Sequence, residues 1–80
     1  MRLDKYLKVT RLIKRRTIAN EACDAGRVLV NEKPQRASYA VQVGDIIEIQ
    51  LGTRPLKVKL LDISEYTTKE TASTFYKVVD

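Results

Sequence analysis

Apolar residues recur every three to four positions in the first quarter of the chain and every second position through its middle, and the change falls at Gly26. At about 100° per residue, Leu3, Tyr6, Leu7 and Thr10 share one face of a helix over residues 3–10. Arg2, Lys5 and Lys8 fall on the opposite face. Asp4 belongs to the first turn, where the helix dipole favours a negative charge. Leu12 and Ile13 are expected in the core. Thr17 is the expected N-cap of a second helix running to Ala25, although Asn20 stands where a capping box would place Glu or Gln. Ile18, Ala22 and Ala25 supply the apolar stripe of that helix, and Gly26 supplies its stop.

Beyond Gly26 the pattern is that of strands. Arg27 to Val30 is short and rich in β-branched residues, and Asn31-Glu32 turns the chain. Lys33 to Ser38 reads as a polar loop that Pro34 keeps out of a central strand. Tyr39 to Val41 is a brief extended piece. After the Gly44-Asp45 turn, Ile47, Ile49 and Leu51 alternate with Ile46, Glu48 and Gln50, the pattern of a sheet with one buried face. Gly52 to Arg54 closes a hairpin, and Leu56, Val58 and Leu60 return along the partner strand. Thr67 or Thr68 could cap a short helix through Ala72, and Phe75 to Val79 reads as a closing strand. The expected fold is α+β: two N-terminal helices packed on a small twisted antiparallel sheet, in one domain over residues 1–80.

Charge changes this picture. Residues 1–16 hold seven basic side chains against Asp4 alone, a net of +6, and residues 17–80 hold eight basic against nine acidic, a net of −1. The whole positive excess therefore lies on the helix pair. Lys14-Arg15-Arg16 has no acidic neighbour, so its repulsion contributes nothing to a fold and points to a polyanionic partner. Arg2, Lys5, Lys8, Arg11, Lys14, Arg15 and Arg16, with Thr17 at the start of the second helix, are the candidate RNA-binding residues. The start of that helix offers unpaired N–H groups and a positive dipole end for a phosphate.

Other chemistry is poorly represented. The sequence has one cysteine and no histidine, so neither an internal disulfide nor a Cys/His zinc site can form. Cys23 sits among small residues and reads as a buried hydrophobe. The three glycines all fall at turns, so no phosphate-cradling loop is present. No enzyme activity, cofactor or metal is expected. A basic membrane-surface helix is disfavoured because Leu3 and Leu7 are needed for a thin core. The few aromatic residues form no stacking cluster, which favours recognition of structured RNA by charge and shape.

Arg2-Leu3-Asp4-Lys5-Tyr6-Leu7, Thr10-Arg11-Leu12, Arg15-Arg16-Thr17, Gly26-Arg27-Val28-Leu29-Val30-Asn31 and Val43-Gly44-Asp45-Ile46-Ile47, in this order and spacing, resemble the S4 RNA-binding domain family, also called the alpha-L motif. The resemblance covers roughly residues 1–51. It implies two helices laid on a small sheet, with RNA held by the helix pair and the following turn. Glu32 replaces the usual glycine after the turn asparagine, so a looser or different turn is expected there, and Thr10 keeps the hydroxyl of the usual serine. Many members join this domain to a catalytic one, for which this chain has no room. The heat-shock members that recycle ribosomes add a basic C-terminal extension, whereas the segment up to Asp80 is nearly neutral. The run Arg2 to Thr17 is most similar to the stand-alone members of ribosome quality control. That likeness implies a cytoplasmic, ribosome-associated monomer bound to large-subunit rRNA and to peptidyl-tRNA on an obstructed large subunit. It also implies cooperation with the RqcH tailing factor in adding C-terminal alanines. A heat-shock or assembly factor with the same RNA grip is the alternative.

Overall fold

The helical period of the first quarter of the chain and the alternating period after it become two helices and five strands in a computed structural model, which describes residues 1–50, 52–63 and 75–79. The elements are α1 (Leu3–Val9), α2 (Arg16–Asp24), β1 (Val28–Val30), β2 (Lys33–Pro34), β3 (Ile46–Ile49), β4 (Leu56–Leu60) and β5 (Tyr76–Val78). The sheet order is β2-β1-β3-β4-β5, antiparallel throughout. The α+β architecture expected from the sequence is therefore the one observed. The expected helix from Thr67 or Thr68 to Ala72, and the expected end of the third strand at Leu51, lie outside the described residues.

α1 buries Leu3, Tyr6 and Leu7, as its period requires. The buried Thr10 hydroxyl donates to the Tyr6 carbonyl at 2.8 Å, closing the last turn. The chain then leaves through Arg11, whose φ of 62° is left-handed. Its N–H returns to the Lys8 carbonyl at 3.1 Å, so an arginine occupies the helix-ending position that glycine takes without strain. Leu12 is half-buried against the core and Ile13 is buried.

α2 departs from expectation at both its cap and its buried face. It starts at Arg16, with Arg15 as the capping residue and no side-chain cap bond. Thr17 is the second helical residue, exposed, and caps nothing. The buried positions are Ala19, Ala22 and Cys23, while Ile18 is 46% exposed and Ala25 is exposed as well. Residues 18 and 19 lie about 100° apart on a helix. The face that meets α1 is the 19/22/23 face, whose small side chains let the two helices pack closely. Gly26 stops the helix as expected. At φ 77° its N–H bonds the Cys23 carbonyl, and the Arg27 N–H bonds that of Ala22, the paired closure of a Schellman motif.

The sheet buries one face against the helices. Val30, Ile47 and Val58 form one cross-strand row, with Val28 and Ile49 beside them and Leu60 further along β4. Leu56, at the start of β4, is exposed. Lys33 and Pro34, expected in a loop, form the edge strand β2, a position where proline's missing N–H costs no ladder bond. The Asn31-Glu32 turn is tight rather than loose. Val30 pairs with Lys33 across it, and both turn residues have positive φ, 52° and 71°, as a two-residue primed hairpin demands. Asn31 anchors it: its side-chain oxygen accepts the Ile46 N–H at 3.1 Å and its amide donates to Asp45 Oδ1 at 3.2 Å.

The start of α1 is held to the 39–41 segment by an antiparallel bridge between Arg2 and Ala40, in which the Leu3 N–H donates to the Tyr39 carbonyl at 2.8 Å and the Val41 N–H donates to the Met1 carbonyl at 3.0 Å. The Tyr6 hydroxyl reaches the Phe75 carbonyl at 2.7 Å beneath them. Among the described residues, no helix is long and apolar enough to cross a membrane.

Candidate RNA interface

The helix pair is organised around one carboxylate. Asp4 is 1% exposed, and an ionised group so buried must be paired and hydrogen-bonded to persist. Its Oδ1 accepts the Lys5 N–H at 2.8 Å and Arg2 Nε at 3.2 Å. Its Oδ2 accepts Arg16 Nε at 3.2 Å, Asn20 Nδ2 at 3.3 Å and, more weakly, Arg2 Nη2 at 3.5 Å. Burial alone would push this carboxyl up. The bonds from Asn20 and Arg16, the charge of Arg16 and the Lys5 N–H outweigh burial and hold it below 3.8. A depressed carboxylate stabilises the fold above the unfolded-state pKa, and that contribution is lost as pH falls through the folded value.

The arginines bound to Asp4 remain half in solvent, with Arg2 and Arg16 side chains 50% and 49% exposed. They are expected from the sequence as outward-facing RNA-binding residues, and the structure ties both to Asp4 of α1. Lys8, Arg11, Lys14, Arg15 and Thr17 are exposed, and Lys5 is half-buried. Arg11, Lys14 and Arg15 lie in the α1–α2 connection, so the cations gather at the start of α2. The first turn of α2 contains no acidic residue. Cations at a helix N-terminus oppose the dipole, an arrangement that a bound anion would relieve.

Sequence reasoning missed Asp4 as an organiser and Asn20 as its partner. The signal that was present, a single acidic residue among seven basic ones, was read as a dipole effect only. The Thr10 hydroxyl is committed to helix carbonyls. Cys23 is buried, as expected, and its thiol is pushed up to about 11 by burial, with the charges of Asp4 and Asp24 adding to it. A thiol so shifted is a poor nucleophile at neutral pH.

On the far face of the sheet the cations are arranged differently. Lys57 pairs with Glu48 at 3.7 Å, while Lys59 stands directly across from Lys77 with both exposed.

The S4 domain model matches residues 1–47, the segment that carries both helices, the strands β1 and β2 and the first half of β3. The chain belongs to the S4 domain family. Across almost its full length it is similar to proteins named RQC P-site tRNA stabilizing factor, the RqcP type. It is 47% identical to that of Streptococcus pneumoniae over 99% of this chain and 90% of the relative. It is 42% identical to that of Bacillus subtilis over 99% and 92%. Among solved structures, the trimeric structure of Vibrio cholerae heat shock protein 15 superposes with a TM-score of 0.91 at 26% identity, over 99% of this chain and 81% of that one.

Proposed function

We propose that the chain is a cytoplasmic RNA-binding factor of ribosome-associated quality control. It grips large-subunit rRNA and peptidyl-tRNA on obstructed large subunits through Arg2, Lys5, Lys8, Arg11, Lys14, Arg15, Arg16 and Thr17. It acts there as a monomer and supports the RqcH tailing factor as alanines are added to the stalled chain. The observation that carries this reading is the cationic start of α2, where Arg15 and Arg16 stand against the helix dipole with no acid in the first turn. The names of the relatives supply the ribosomal context.

Recycling of large subunits as a heat-shock factor is the second reading, favoured by the 0.91 superposition. The higher identity and coverage of the quality-control relatives support the first reading over it. Sucrose-gradient sedimentation tests both. The protein is expected on free large subunits that carry peptidyl-tRNA, and sedimentation with tRNA-free subunits would favour recycling. With about four to six phosphate contacts, affinity should fall with salt at a log–log slope of roughly −3 to −5. A flat salt response would overturn the electrostatic grip.

A further inference from the structure

We infer that Asp4 is a positioning residue for RNA, a buried carboxylate that sets Arg2 and Arg16 in one fixed orientation before any RNA arrives. The inference rests on the RNA-binding reading above and deepens it. A carboxylate has about four acceptor sites on its two oxygens, and the Lys5 N–H, Arg2, Arg16 and Asn20 occupy them. Arg16 binds through Nε alone, whereas Arg2 binds through Nε and, at 3.5 Å, through Nη2. Arg16 therefore keeps both terminal nitrogens clear of any protein acceptor among the described residues, on a side chain that is half exposed. That is the fork which fits a phosphate bidentately.

The arrangement does two further things. Two guanidinium groups that would repel each other share one negative charge. The rotamer freedom of each arginine is given up in folding and not at binding, which is how preorganisation raises affinity. Asn20 adds selectivity within the cluster, because it shares Oδ2 with Arg16 while the closest bond of Arg2 goes to Oδ1.

The test uses the full chain and Asp4→Asn, which keeps the side-chain shape and removes the charge. NMR of the free protein reads the arginine Nε–H signals, assigned with Arg2→Lys and Arg16→Lys. Two exchange-protected signals are expected in the wild type and none in Asp4→Asn. Binding to purified large subunits should fall about tenfold in Asp4→Asn, but less than about twofold when the same change is made in a background that carries both Arg2→Ala and Arg16→Ala. A loss of folding alone would not produce that non-additivity. If Asp4→Asn does not fold, Asn20→Ala decides the matter: the Arg16 signal should broaden and the Arg2 signal should stay. Protected signals that survive Asp4→Asn, an unchanged Arg16 signal in Asn20→Ala, or additive binding losses would each overturn the inference. A wild-type protein with both signals that fails to bind subunits would instead overturn the RNA-binding reading.

Discussion

The helix pair and the outer face of the sheet both carry several cations, yet they hold them in opposite ways. On the helix pair, a buried carboxylate fixes two arginines by their Nε atoms and leaves the start of α2 strongly positive. On the sheet, Lys57 is matched by Glu48 at 3.7 Å, and Lys59 and Lys77 face each other as ammonium groups on flexible stems. The first arrangement concentrates charge in a defined geometry. The second leaves it solvated and held in no defined geometry. A count of basic residues cannot separate the two, because what differs is the group that holds each cation.

The largest expected effect separates the two surfaces directly. Arg16→Ala should weaken large-subunit binding by about tenfold or more, since a charge-assisted hydrogen bond contributes about 1.5–3 kcal/mol. Lys77→Ala should change it less than about twofold, and co-sedimentation at fixed salt measures both. Equal losses would erase the contrast. Arg16→Ala should also lose some stability, about 1–2 kcal/mol after allowing for the arginine's exposure, while remaining folded by circular dichroism.

Next in size is the tie between the two regions. Tyr6→Phe removes the hydroxyl that reaches the Phe75 carbonyl. That carbonyl keeps the N–H groups of Leu61 and Asp62, so the cost should be only about 1 kcal/mol in chemical denaturation. A loss several times larger would mean that helix and sheet depend on this contact more than the geometry implies.

The two strained residues sharpen the comparison further. Arg11 and Glu32 both hold left-handed backbone, which glycine tolerates without the steric cost. Arg11→Gly and Glu32→Gly should each raise stability by about 0.5–1 kcal/mol, net of the extra freedom glycine has when unfolded. Only Arg11→Gly should weaken RNA binding. If Arg11→Gly binds as well as the wild type, the α1–α2 connection lies outside the interface. The smallest effect is expected for Lys57→Ala. Its half-exposed pair with Glu48 contributes about 0.5 kcal/mol or less, and a thermal melt should barely move.

Much of the fold could be read from local pattern. The faces of α1, the stop at Gly26 and the inward residues of β3 and β4 all follow from periods of 3.6 and 2 that neighbouring residues reinforce. The face of α2 could not be read so, because Ile18/Ala22/Ala25 and Ala19/Ala22/Cys23 are both helical stripes and only the position of α1 chooses between them. The tightness of the Asn31-Glu32 turn could not be read from the replacement of glycine by Glu32, because the pairing of Val30 with Lys33 and the anchoring of Asn31 impose positive φ there. In the site, the cations were visible as a charge run. Their organisation was not, since Arg2, Asp4, Arg16 and Asn20 meet only once α1 and α2 are packed.

The bond from the Tyr6 hydroxyl to the Phe75 carbonyl spans 69 positions of sequence. Leu3 and Val41 are likewise paired with partners far along the chain or back at its start. Contacts of such wide separation slow folding, because their loops must close before they return any stabilisation. The first helix thus cannot complete its surroundings while the chain is being synthesised. The docking of α1 is therefore a late and cooperative event in a nascent copy of this protein, completed only after Phe75 has emerged.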